Sequence, residues 1–227
     1  MDAALARRLL PAVLAQLEAL SLDPGRPLIV ADADEVLLQF VRGLEAFLAD
    51  EGLYLELASF ALTGNVRHRG SGEALAGTAV KTLIERFFAE RMEEMQPVEG
   101  AAAALAALSE RAQVMVLSNV PLERREARAR LLARHGMPYP LVANAGTKGG
   151  ALAYLAGRVA APIVFLDDIP HNIAAVALSA EAVIRVHFVA DSRLARLLLP
   201  AADCHARHDD WPSARNFIEE RLAQHGY

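Results

Sequence analysis

The chain is poor in thiol. Cys204 is its one cysteine, so it holds no internal disulfide framework, and a reducing, cytoplasmic setting is the expectation. Long apolar runs are missing as well: none reaches the roughly 20 residues that a bilayer span needs. The opening MDAALARRLLPAVLAQLEAL does not read as a signal peptide. Asp2, Arg7, Arg8 and Glu18 interrupt its apolar stretch, and no small-residue cleavage site follows. Positive charge is not in excess either. The 23 Lys and Arg face 28 Asp and Glu, a formal net charge of −5, which repels polyanions and sets nucleic acid aside as a partner. No internal repeat and no low-complexity linker is present. Together these absences leave a globular protein acting on a small molecule, without nucleic acid or membrane partner, as a monomer or homodimer.

What is present is a chain of 227 residues, long enough for one buried core with a modest insertion and short for two full domains. Leu5, Leu9, Leu10, Val13, Leu14 and Leu17 recur at helical spacing, which predicts a helix over 3–20 with Pro11 as a kink. From Pro27 onward, short unbroken apolar runs alternate with helical patterns. The runs are 27–31, 114–117, 141–143, 162–166 and 182–189; strands covered on both faces of a parallel sheet read this way. The helical patterns are 98–110, 122–135, 149–157, 171–179 and 212–224. The fold expected is α/β, a three-layer Rossmann-like parallel sheet core. Between the first two runs, residues 37–95 show helical periods at 36–49 and 73–93 and no buried-strand pattern. They read as a mostly helical insertion over one end of the sheet, so that 1–36 and 96–227 form the core.

Three of the buried runs end in polar groups: Asp32 and Asp34, Ser118, and Asp167 with Asp168. Lys148 precedes a helix between the last two. Ligands of open parallel sheets bind outside the carboxyl ends of the strands, so these groups belong in one region. Crowded carboxylates repel one another in a partly dry site and stay ionised only beside a cation. An all-oxygen donor set favours a hard ion, and Mg²⁺ takes few carboxylates together with phosphate oxygens. A lysine and a hydroxyl beside such an ion suit a phosphoryl group, whose transfer depends mostly on positioning and charge neutralisation.

In these motifs the sequence resembles the haloacid dehalogenase superfamily of phosphohydrolases, from about Pro27 to Arg221. IVADADEV matches its strand followed by Asp-x-Asp, VMVLSN its strand ending in Ser or Thr, GTKGG its isolated lysine, and VFLDDIPHN its strand ending in paired acids. The resemblance implies a Mg²⁺-dependent phosphomonoester hydrolase acting on a small phosphorylated substrate. Asp32 would attack phosphorus and become an aspartyl-phosphate. Asp34 would protonate the leaving alkoxide and then deprotonate water. Ser118, the backbone near Asn119 and Lys148 would bind the phosphate. Mg²⁺ would be held by Asp32, the Asp34 carbonyl and Asp168, with Asp167 ligating directly or through water and Asn172 in support. Haloacid dehalogenases proper lack the second aspartate, so Asp34 argues for ester chemistry. Glu35 departs from the family, which often has glycine there; the departure implies an altered flap or an extra carboxylate beside the leaving group. The 37–95 insertion would be the family's small helical cap. A phosphoryl-transferring mutase and a non-catalytic binding protein of the same fold are the competing readings.

Arg67, His68 and Arg69 lie on a loop of the insertion and are candidates for selecting an anionic substrate tail. Arg124, Arg125, Arg128 and Arg130 read as one solvated helix face. Cys204, His205 and His208 fit no zinc spacing, and Trp211 reads as a packing residue.

Overall fold

The computed structural model describes residues 9–227. Its centre is a six-stranded sheet of β1 (Leu28–Ala31), β4 (Gln113–Ser118), β5 (Leu141–Ala143), β6 (Ile163–Asp167), β7 (Ile184–Phe188) and β8 (Ala206–His208), in the order β5-β4-β1-β6-β7-β8. Every neighbouring pair runs parallel. Leu28, Ile29, Val30 and Ala31 are all fully buried. Covering each large one of these side chains contributes about 1.5–3 kcal/mol, which is why this apolar run takes the middle of the sheet.

The pleat sends β1 residues alternately to two cores. Ile29 and Ala31 join α4 (Ala101–Ser109), α5 (Arg125–Arg134) and α9 (Trp211–Gln224) on one face. Leu28 and Val30 join α1 (Pro11–Glu18), α6 (Gly149–Ala156) and α7 (Pro170–Ser179) on the other. The three expected layers are therefore present. Trp211 is fully buried, packs tilted against Phe188 with ring centroids 5.2 Å apart and donates to the Val36 carbonyl at 2.9 Å.

The chain leaves β1 for β4 and β5 on one side, then crosses to β6, β7 and β8 on the other. The carboxyl ends of β1, β4 and β6 therefore meet where the direction of winding changes, the place an open α/β sheet offers a ligand.

Three features differ from the sequence reading. Residues 3–8 of the expected first helix lie outside the described residues, and Leu9 and Leu10 are not helical. Pro11 is the first helical residue rather than a kink, a position where its missing N–H costs nothing. The segment between β1 and β4 contains α2 (Phe40–Asp50) and α3 (Gly77–Glu90), but between them β2 (Leu53–Leu55) and β3 (Val66–His68) form an antiparallel hairpin. Two short elements went unread, the half-buried edge strand β8 and α8 (Ser192–Ala195).

The hairpin loop, residues 56–65, is braced from inside. The Asn65 amide donates to the Ser59 carbonyl at 3.1 Å, the Ser59 hydroxyl at 2.8 Å and the Ala61 carbonyl at 2.7 Å. Beneath it Phe40, Phe47, Phe87 and Phe88 pack with ring centroids 5.6–5.9 Å apart.

No helix among the described residues is long and apolar enough to cross a membrane.

Candidate active site

Lys148 caps α6 from the loop after β5, and its position depends on how closely α6 approaches α7. A Cβ on Gly149 would lie 2.5 Å from the Ala175 carbonyl oxygen, so only glycine permits that contact. The helix start is thereby pressed toward the end of β6. The Lys148 amine, fully buried, sits 2.6 Å from Asp32 and 2.6 Å from Asp167. Burial opposes its charge, but the two carboxylates outweigh that and hold the amine more firmly protonated than a free lysine.

The carboxylates of Asp32, Asp167 and Asp168 present oxygens within 4.8 Å of one another, all three buried. Burial pushes the Asp32 carboxyl up to about 7 against the pull of Lys148, and the charges of Asp167 and Asp34 push the same way. Asp168 is raised well above the ordinary carboxylate range, first by burial and then by Asp167 and Asp32. With all three ionised, one ammonium leaves a formal charge of −2, which a single divalent cation balances.

The hydrogen bonds divide the three acids by task. Asp167 is saturated: it accepts from Lys148 at 2.6 Å, from the Asn172 amide at 3.0 and 3.2 Å, and from the Ile169 N–H at 2.9 Å. It anchors the lysine. Asp168 keeps one buried carboxylate oxygen with no partner, an expensive arrangement that a cation would relieve. The donor set is all oxygen, and Asp168, with its orphaned oxygen, belongs to the carboxylate cluster, so these residues fit Mg²⁺. The Asp168 carbonyl accepts from His187 Nε2 at 3.0 Å, while His187 Nδ1 accepts from the Ala201 N–H at 3.1 Å. That pair of contacts fixes the tautomer of a fully buried ring. Burial lowers its pKa, and the nearby Arg207 adds to the effect.

Ser118 ends β4 fully buried, and its hydroxyl has no hydrogen-bond partner among the described residues. Beside it the Asn119 amide donates to the Gly146 carbonyl at 2.9 Å, and its oxygen accepts from Asn144 at 2.7 Å. Asn144 was not read from sequence, although it directly follows β5 as Asn119 follows β4 and the same strand-end rule points to it.

Asp34 lies at the mouth, its side chain 20% exposed, paired at 2.7 Å with Arg128, whose side chain is fully buried. The guanidinium also lies 5.4 Å over the Phe88 ring and touches the Met92 sulfur. This corrects the reading of Arg128 as part of a solvated face. A signal existed, because Arg128 stands three and four residues before the buried Leu131 and Leu132 and so falls on their stripe.

Glu35 adopts φ 57°, in the left-handed region where glycine costs nothing and other residues about 1 kcal/mol. Its carboxylate compensates. It accepts from the Val41 N–H at 2.7 Å, capping α2, and from the Asp191 N–H at 3.2 Å at the start of α8. The departure from glycine is thus a clamp between two helix starts.

These strand-end residues form one side of a cavity of about 260 Å³ that Asp32, Asp34, Glu35, Asn119, Lys148, Asp168 and Asn172 line. Ser59, Phe60, Ala61 and Leu62 of the hairpin loop line the same cavity. Arg67, His68 and Arg69 are not among the lining residues. Arg67 pairs with Glu56 and bonds the Gly72 carbonyl, and Arg69 bonds the Leu53 carbonyl at 2.9 Å. His205 accepts from the Arg185 N–H and His208 bonds the Ser213 hydroxyl.

No protein-family model matches the chain, and no curated protein matches it in sequence. Solved structures do match in fold. A conserved haloacid dehalogenase-like protein of unknown function from Agrobacterium tumefaciens is 16% identical with a TM-score of 0.59, over 87% of this chain and 99% of its own. A predicted phosphoglycolate phosphatase from Haemophilus somnus is 15% identical with a TM-score of 0.57, over 87% and 100%. A HAD-type hydrolase from Bacillus subtilis, bound to magnesium, is 14% identical with a TM-score of 0.54, over 87% and 100%. The chain has the fold of the haloacid dehalogenase-like hydrolases.

Proposed function

We propose that this chain is a Mg²⁺-dependent phosphomonoester hydrolase with Asp32 as its nucleophile. One observation carries the reading: the ends of the adjacent strands β1, β4 and β6 and the start of α6 present Asp32, an unpartnered Ser118 hydroxyl, Asp168 and Lys148, and Asp32, Lys148 and Asp168 line one cavity. The fold shared with haloacid dehalogenase-like hydrolases supports it.

Asp32, the Asp34 carbonyl and Asp168 would hold the ion, which when bound supplies charge neutralisation for the phosphoryl oxygens. The chain's own groups do the rest. The Ser118 hydroxyl and the Asn119 backbone hold phosphoryl oxygens. A carboxylate oxygen of Asp32 attacks phosphorus, the bond from phosphorus to the ester oxygen breaks, and Asp34 gives that oxygen its proton. Asp34 then takes a proton from water as the water oxygen attacks the aspartyl-phosphate. Inorganic phosphate leaves and the Asp32 carboxylate is restored. Lys148, tied to Asp167, keeps Asp32 oriented through both steps. The segment 37–95, with its helices and hairpin, acts as the cap that closes the cavity against water.

The test is hydrolysis of 4-nitrophenyl phosphate by the purified chain with Mg²⁺ and with chelator. Turnover is expected only with the metal, and Asp32→Asn is expected to reduce it to background. Wild-type rates in that variant would remove Asp32 from the role.

A further inference from the structure

The two sides of the cavity differ in kind. Beside the strand-end groups the cavity is lined by Phe40, Leu55, Phe60, Leu62 and Phe88, with Ile169 next to Asp168. Among the described residues Lys148 is the only cation that lines the cavity, and it is taken up by Asp32 and Asp167. The nearby guanidinium of Arg128 is committed to Asp34, and Arg67 and Arg69 are turned to partners within the hairpin. A carboxylate or second phosphate on the substrate would have to leave water for a wall with no counter-charge, which costs several kcal/mol per ion.

Taking the hydrolase reading as its basis, we infer that the substrate is a monoester whose organic part is apolar and uncharged, an aryl or medium-length alkyl phosphate. Its phosphate meets the polar side of the cavity and its hydrocarbon lies against the phenyl and leucine side chains. Size agrees: an apolar cavity of about 150 Å³ accepts a benzene ring, so 260 Å³ holds a phosphoryl group with one ring or a short chain beside it. Specificity then comes from burying apolar surface rather than from ion pairing. Each added methylene that finds room gains about fourfold in affinity, the equivalent of about 0.8 kcal/mol.

Non-hydrolysable phosphonates separate binding from turnover. Calorimetric titration of the full chain in Mg²⁺ with ethyl-, butyl-, hexyl- and phenylphosphonate and with phosphonoacetate is expected to rank the hexyl and phenyl compounds at least tenfold tighter than phosphonoacetate. Phe60→Arg, and independently Leu62→Arg, is expected to narrow or reverse that ranking; both side chains are half-buried at the loop, and a melting curve checks each fold. Equal or tighter binding of phosphonoacetate by the wild type overturns the ligand class while leaving the hydrolase reading intact if 4-nitrophenyl phosphate is turned over. Selective binding of apolar phosphonates without Mg²⁺-dependent turnover of any aryl or alkyl phosphate overturns the hydrolase reading and leaves the ligand class standing. Failure to bind any phosphonate overturns both.

Discussion

At the strand ends the cavity is lined by acidic, lysine and amide side chains, most of them buried and most held by partners from a different strand or helix. At the hairpin loop the same cavity is lined by half-exposed phenyl and aliphatic groups held by one asparagine. The first side is costly to build and has few alternative arrangements, because every buried charge there must be answered by another. The second gains its energy from area, so it tolerates change in proportion to the area changed. The first side suits chemistry that must be positioned within tenths of an ångström, and the second suits recognition that can be graded.

If that contrast is right, Lys148→Met has the largest effect. It removes the single ammonium between Asp32 and Asp167 and leaves two buried carboxylates without a cation. Loss of about 3–5 kcal/mol of stability is expected without metal, measured by urea denaturation, with turnover at background. Mg²⁺ should restore part of the stability and none of the turnover. A variant as stable as wild type in chelator would break the comparison at its strongest point.

Asp34→Asn is next. Its partner Arg128 is fully buried, so the substitution strips a buried guanidinium of its charge partner as well as removing the proposed acid. A destabilisation of about 2–3 kcal/mol is expected, discounted because Asp34 itself is partly exposed. The double variant Asp34→Asn/Arg128→Met should regain most of that stability without regaining activity toward alkyl phosphates, whose leaving groups need a proton. Recovery of both would mean that Asp34 serves only to satisfy Arg128.

Glu35 joins the two sides, and its titration gives a smaller effect with a definite sign. Burial raises its carboxyl from an ordinary 4.5 to about 7, and Asp191 pushes in the same direction against the N–H groups it accepts from. The folded state therefore holds this proton more tightly than the unfolded chain. The contribution to stability is complete below about pH 4.5 and is lost as pH rises toward and through 7. Relative to Glu35→Gln, wild type should lose on the order of 1–2 kcal/mol between pH 5 and 8 in chelator. Parallel curves for the two proteins would show that the carboxylate is ionised throughout as a helix cap.

The two sides were also unequally legible in the sequence. Parallel strands covered on both faces are written as apolar runs, so β1, β4 and β6 announced themselves, and with them the acids and serine at their tips. Lys148 was legible because it directly precedes a helical pattern between two of those strands. The hairpin strands and β8 are three residues each and only partly buried, too short to show a period of two against helical neighbours. Arg128 was misread because charge suggested solvent while its place on the Leu131 and Leu132 stripe said otherwise. The apolar wall went unread for a different reason. Phe40 and Phe88 lie on helices, and Phe60 and Leu62 on a loop without periodicity, so only the tertiary fold brings them to one surface.

Asn65→Ala tests the second side where it is weakest. The Asn65 amide holds the loop through Ser59 and Ala61, and backbone bonds at 3.1 and 3.2 Å tie residues 65 and 66 back to Leu62. Removing the amide frees two carbonyls that water can reach in part, so the cost in global stability is about 1 kcal/mol. The loop keeps its sequence and its apolar side chains and loses only their fixed placement. Phe60 and Leu62 would then have to be ordered at the moment of binding, at about 0.5–1.5 kcal/mol each. A several-fold fall in kcat/KM is expected for phenyl and hexyl phosphate, carried mainly by KM, with little change for acetyl phosphate, whose single methyl group offers the wall little area. If all three substrates fell together, the loop would be acting on the strand-end chemistry, and the division between a positioned side and a graded one would not hold.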